Sequence, residues 1–273
     1  MRIEFYGVRG TCPVAPPRGT AYGGHTPCAF VRTSSGGKLV IDAGTGLRPL
    51  EDALRRTRNG SSFPLHLLLT HFHFDHISGL PFLRALYEKG ADLRFLSALA
   101  PAEIRRRLEA FMTGPYFPVE FGSTPSRKTF ERIGSRPILI DGAFVSDCAL
   151  NHPQGCVAFK IEESGRFIVF ATDTEHFKEG VDARLAAFAL GADVLVYDAT
   201  FTPEDYAAGK IGWGHSTWAA GVELARAAGV GRLLLSHLNP DYSDAALGRI
   251  ESAARKIFPR SVCVREGMTL RLE

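Results

Sequence analysis

At 273 residues, with 32 basic against 29 acidic side chains and a net charge of +3, the chain can bury a large core and is close to electrically balanced. That balance gives no reason to expect a nucleic-acid or membrane partner, although small anions stay open. Five cysteines with no Cys-x-x-Cys pair argue against a disulfide framework and a thiolate zinc site, so a reducing, cytoplasmic setting is expected.

The chain opens with MRIEFYG, which reads as a strand and not as a leader, and no apolar run reaches transmembrane length. Short apolar runs then recur, and most stop at a chemically useful residue. KLVIDAGTG ends at Asp42, LHLLLTH at His71, AFVSDCALNH at His152, FIVFATD at Asp173, VLVYDAT at Asp198 and RLLLSH at His237. Helical patterns lie between them. They carry Leu47, Leu50 and Leu54; Leu83, Leu86 and Tyr87; Ile104, Leu108 and Phe111 after Pro101; Leu185 and Phe188; and the segments STWAAGVELARAAG and SDAALGRIESAARKIF, each with an N-cap candidate at its start. Residues 113–136, rich in Gly, Pro and Ser, read as a long surface excursion. Strands and helices alternate, which predicts an α/β chain folded as one domain over 1–273. Strand ends that carry His and Asp are expected to meet along one sheet edge.

The densest signal is THFHFDH at 70–76. Alternate residues of an extended segment share a side, so His71, His73 and Asp75 can face one way, and a turn at Asp75–His76 lets the last two reach a second position. Two metal ions need about three protein ligands each, so distant strand ends must supply the rest, with His152, Asp173 and His237 as candidates. The competing reading is a solvated loop with histidines in it by chance. Asp42, which precedes AGTG, reads as a buried brace for the metal loop; His66 and His176 read as bland, and the cysteines as small core residues.

THFHFDH followed in order by His152, Asp173 and His237 closely resembles the metallo-β-lactamase superfamily of dinuclear hydrolases. The resemblance implies a four-layer αββα sandwich, two mixed β-sheets flanked by helices, with the site on one edge. It implies that His71, His73 and His152 bind one metal, that Asp75, His76 and His237 bind the other, and that Asp173 bridges them. Zinc is the default, with manganese or iron also suited to imidazole and carboxylate.

YDATF and GHST resemble the paired loops of the tRNA 3′-processing endonucleases and related cyclic-nucleotide phosphodiesterases, although Asp198 stands where the endonucleases usually have glutamate. An alkoxide leaving group needs a proton, which His215 oriented by Asp198 could give, while Asp75 could help orient the attacking water. The alternative is that His215 caps the helix starting near Ser216. The 20 residues between His152 and Asp173 are too few for the arm with which those endonucleases grip tRNA. RGTCPVAPPRGTAYGGHTPC is instead similar to the opening of bacterial cyclic-nucleotide phosphodiesterases, with His25 where an asparagine is expected, and PYFPV at 115–119 looks like the same group. Arg9 is the candidate phosphate contact outside the metals, with a solvated arginine as the alternative. Tyr116 and Phe117 are candidates to stack on a base, unless that loop packs down its own aromatics.

These readings converge on a dinuclear phosphodiesterase for a small cyclic phosphodiester, a 3′,5′-cyclic nucleotide first. An RNA 3′-end nuclease is the runner-up and a phosphoribosyl cyclic phosphodiesterase a third option; a non-catalytic sensor has no need of so complete a ligand set. The expected partner is a small-molecule phosphodiester, without nucleic acid or membrane, and a homodimer is compatible with the chain.

Overall fold

The computed structural model describes residues 1–16, 21–56 and 64–272. The N-terminal half contributes β1 (Arg2–Gly7), β2 (Cys28–Arg32), β3 (Lys38–Ile41), β4 (Pro64–Leu68), β5 (Asp92–Ser97) and β6 (Arg127–Arg132). The C-terminal half contributes β7 (Ile138–Ile140), β8 (Ala143–Leu150), β9 (Cys156–Glu163), β10 (Arg166–Ala171), β11 (Val194–Asp198), β12 (Leu233–Ser236), β13 (Ser261–Cys263) and β14 (Thr269–Arg271). They form two seven-stranded sheets, ordered β14-β1-β2-β3-β4-β5-β6 and β13-β12-β11-β10-β9-β8-β7. Both are mixed: β3 to β6 run parallel in the first and β10 to β13 in the second, and the remaining pairs are antiparallel.

Parallel neighbours need crossovers, and helices supply most of them. They are α1 (Leu47–Arg56), a single turn α2 (Phe74–Ile77), α3 (Pro101–Phe111), α4 (Ala183–Phe188), a short α5 (Pro203–Ala207), α6 (Trp218–Ala227) and α7 (Asp244–Ile257). The strands are apolar on both faces because both faces are covered. In β3, Leu39 and Ile41 enter the layer between the sheets while Val40 faces the outer layer with Leu47, Leu50, Ile104 and Leu108 of α1 and α3. This is the expected sandwich of two mixed sheets flanked by helices.

Two local expectations fail. The pattern Leu83, Leu86, Tyr87 makes two short 3-10 turns (Leu80–Phe82 and Arg84–Tyr87) instead of an α-helix, held where the buried Glu51 carboxylate accepts from the N–H groups of Arg84 and Ala85 at 3.0 Å each. The 113–136 excursion contains β6, whose sequence RKTFER hides it: it is an edge strand, where charge protects an open sheet margin.

Candidate metal centre

The parallel strands of each sheet, together with β8, end on the same rim, and the residues that end them converge there. Three do so in left-handed backbone: Asp42 (φ 59°), Asp173 (φ 59°) and His237 (φ 55°) follow β3, β10 and β12. Such a conformation costs a non-glycine residue on the order of 1 kcal/mol or more and is retained where the surroundings over-determine it. Gly10 is required beside them, since a Cβ there would stand 2.2 Å from the His237 ring.

His71 and His73 extend from β4 as expected, but the extended segment stops at His73, which precedes α2. Asp75 and His76 therefore sit in a helical turn, buried, and both face His237. Three groups of ligand atoms result, each within 4.8 Å: His71, His73 and His152; His71, His76 and Asp173; Asp75, His76 and His237. Asp173 joins them, with Oδ2 3.2 Å from His76 Nε2 and Oδ1 3.1 Å from His237 Nε2 and 3.9 Å from His71 Nε2.

Every one of these imidazoles has its other nitrogen occupied. Thr70 Oγ1 donates to Asp42, so His71 Nδ1 donates to Thr70 Oγ1 at 3.1 Å. His76 Nδ1 donates to Asp42 Oδ2 at 2.8 Å, His152 Nδ1 to the Gly214 carbonyl at 2.7 Å and His73 Nε2 to Gln154 Oε1 at 2.7 Å. Thr200 Oγ1 donates to the His237 carbonyl and accepts from His237 Nδ1 at 3.0 Å. Each ring is thereby fixed with a bare nitrogen toward the centre, the pattern that carries a metal-ligand histidine. His71 Nε2, His76 Nε2 and Asp173 Oδ2 are buried without any hydrogen-bond partner, an arrangement that a cation explains and neutral packing does not. Imidazole and carboxylate without thiolate suit a divalent transition metal, and the residues fit one. Burial alone would raise the carboxyl groups of Asp75 and Asp173, but the flanking imidazoles of His76 and His237 hold both well below the usual range.

A further grouping of Asp173, Asp198, His215 and His237 is not a ligand set. Asp198 is fully buried and its oxygens already accept from the N–H groups of Asp173, Thr200 and Ser216 at 3.0 Å each, and from His215 Nδ1 at 2.9 Å. Asp198 thus orients His215, whose ring stacks on that of His237 with centroids 4.7 Å apart. His215 does not cap the following helix. Thr217 does, accepting from the Ala220 N–H at 3.2 Å, while Ser216 meets His176 and Tyr197.

Asp42 braces the loop as expected and also aligns His76. Arg9 corrects another expectation. Its guanidinium is fully buried, donating to the carbonyls of Gly23, Asn239 and Tyr242 at 2.9–3.1 Å and lying 3.7 Å from Asp244, so it clamps two loops and offers nothing to a phosphate. Tyr116 projects into solvent, 85% exposed, and Phe117 packs on Phe82 at 6.0 Å; neither ring pairs with a histidine of the cluster among the described residues. His25 hydrogen-bonds Thr45 and Glu266, and His66 bonds Asp141.

Sequence reasoning passed over Glu175. Its carboxylate accepts from Tyr206 Oη (2.6 Å) and from the N–H groups of Gly212 (2.7 Å) and Gly214 (2.8 Å), fixing the turn whose Gly214 carbonyl holds His152. Thr11 also lay unmarked, although its N–H reaches Asp75 Oδ2 at 2.8 Å from a left-handed turn. The partners of both lie far off in sequence.

Residues 38–238 match the family model described as the beta-lactamase superfamily domain. Among similar proteins, a Ribonuclease Z of Haloarcula marismortui is 25% identical over the whole of this chain and 97% of its own length. The metallo-beta-lactamase fold protein YhfI from Bacillus subtilis aligns over 99% of both chains with a TM-score of 0.73 and 19% identity, and human tRNase Z, short form, over 100% of both with 0.65 and 18%. These names overturn the expectation that nucleic acid is not a partner. Near-neutral net charge was a poor guide, because an RNA can be gripped by a local cluster of cations while the whole surface stays balanced. No described helix is long and apolar enough to cross a membrane.

Proposed function

The chain belongs to the beta-lactamase superfamily and is a metal-dependent hydrolase, and on that premise we propose that it is a phosphodiesterase that processes RNA 3′ ends. Its full-length similarity to proteins named Ribonuclease Z carries this reading. In it, His71, His73 and His152 hold one divalent ion, Asp75, His76 and His237 a second, and Asp173 both. When bound, such ions supply charge for the non-bridging phosphate oxygens and lower the pKa of a coordinated water. The chain itself supplies the proton. His215, aligned through Nδ1 by Asp198, presents its other nitrogen to the leaving ribose oxygen, and Asp75, anchored by the Thr11 N–H, orients water on the opposite side.

A small cyclic phosphodiester remains the second reading, favoured by one observation. The chain between His152 and Asp173 forms the plain β9–β10 hairpin, with Ser164 and Gly165 at its turn and no projecting arm. Metal-analysed protein offered pre-tRNA with a 3′ trailer alongside 3′,5′-cyclic AMP separates the two. Trailer cleavage is expected, and turnover of the cyclic nucleotide with intact pre-tRNA would overturn the RNA reading.

A further inference from the structure

Beyond the metal ligands, the largest cleft described, about 1070 Å³, lies where β7 stops short along β8. β7 pairs with β8 only as far as Ile138 against Val145, and past that point the β8 margin is met by a single bond, from Asp147 N–H to the Gly134 carbonyl at 3.0 Å. Four cations line the cleft: Arg132 and Arg136 from the end of β6 and the loop after it, Lys160 on β9, and Arg184 on α4. Asp147 is the carboxylate among them. Arg132 and Arg136 are exposed and make no ion pair among the described residues, and Lys160 sits 4.7 Å from the rings of both Phe167 and Phe188.

The cleft does not end there. A second cavity, about 180 Å³, shares Ala98, Ala149 and Val157 with it and opens onto His71, Gln154 and Arg107. A continuous path thus leads from the imidazole cluster past Arg107 to the four cations. Its walls alternate charge with apolar surface from Ile133, Ile138, Val157 and Phe188. Cations along a groove with apolar faces between them match a strand that carries a phosphate and a base at each step, and the base faces need to be unpaired to use them.

We propose that this cleft is the track for the single-stranded RNA segment on one side of the scissile phosphate. The proposal rests on the RNA reading of the metal centre, but its test does not depend on cleavage. Anisotropy of a fluorescein-labelled single-stranded RNA octamer is measured over a salt series with the metal-loaded protein and with the Arg132→Gln, Arg136→Gln, Arg184→Gln triple variant. These side chains are exposed, so the thermal midpoint and the turnover of bis(p-nitrophenyl) phosphate should stay as in the wild type. Binding at low salt should weaken about 10-fold, and the slope of log affinity against log salt should drop by about 2, at roughly 0.7 per phosphate released. Asp147→Asn, which removes the opposing charge, should tighten binding. Unchanged affinity and slope in the triple variant would overturn the track, as would a wild type that binds no octamer or one from which hexaglutamate displaces RNA at equal concentration, which would assign the cleft to acidic peptides. RNA binding with the expected slopes, but with cyclic nucleotides cleaved and RNA not, would leave the track standing and remove the RNA-processing reading.

Discussion

The two sheets build their shares of the centre in opposite ways. The first delivers His71, His73, Asp75 and His76 from one loop after β4, so that six consecutive positions hold most of its contribution. The second delivers His152, Asp173, Asp198 and His237 singly, from the ends of four strands, with His215 from the loop before α6. A ligand set gathered locally needs one turn to be right. A set gathered one residue at a time needs the whole sheet in register, because a slip of one residue would turn each of those side chains to the other face.

Asp173 is where the two contributions touch, so its loss should have the largest effect. Asp173→Ala should remove both ions and abolish turnover, whereas His73→Ala should leave the Asp75, His76 and His237 group able to hold one. Elemental analysis for zinc, manganese and iron reads this directly: near zero for the first variant and near one per chain for the second. Equal retention in both would mean that Asp173 does not join the two groups.

The same contrast decides what could be read from sequence. THFHFDH is visible because spacing alone puts its donors together, and the strand ends were visible because each apolar run stops at a ligand-type residue. Glu175 was not, since its three donors lie at 206, 212 and 214 and nothing in the local sequence marks it. Arg9 misled for the complementary reason: a Gly-flanked arginine after a strand reads as open to solvent, and only the fold brings the carbonyls of residues 23, 239 and 242 around it. The sandwich was legible as alternating patterns, while β6 was masked by the charges that suit an edge strand.

The next effect concerns His215. A proton donor matters for a poor leaving group such as a ribose oxygen and hardly at all for nitrophenolate. His215→Ala should therefore slow cleavage of RNA or a cyclic nucleotide by about 10²–10⁴ and affect bis(p-nitrophenyl) phosphate far less, with both ions retained. Asp198→Asn should follow more mildly, since the imidazole keeps its place but loses the charge that stabilises its protonated form. Equal slowing of both substrates by His215→Ala would reduce the residue to a positioning role.

Residues that hold ligands from behind come next, one from each sheet. Asp42→Asn loosens His76 and Thr70, and Glu175→Gln weakens the turn that holds His152. Each should lower metal affinity by about 10–100-fold, the usual worth of such supports. The sheets predict a difference between them. Asp42 is bonded directly to a ligand ring, whereas Glu175 acts through the Gly214 backbone, so competition with a chelator should extract metal from Asp42→Asn more readily. The reverse order would show that the singly delivered ligands depend more on their supports than the clustered ones do.

The smallest effect isolates burial from the centre's own charges. Asp147 lies on β8, the strand that ends at His152, with Oδ2 buried and unpartnered, and burial pushes its carboxyl up to about 6 even with Arg132 nearby. Asp173, more deeply buried but ringed by imidazoles, is held far down. Because the folded Asp147 binds its proton more tightly than the unfolded chain does, its contribution to stability falls as pH rises from about 4 to about 6 and is constant outside that window. With half of the side chain still reached by water, the penalty at neutral pH should be about 1 kcal/mol. Asp147→Asn keeps the shape and removes the charge, so thermal unfolding at pH 7 should shift upward by about 2–4 °C and the shift should vanish below pH 4. Chelator-treated protein should show the same increment, since Asp147 touches no ligand. An increment independent of pH would mean that the gain comes from hydrogen bonding of the amide and that burial of charge on β8 carries no penalty.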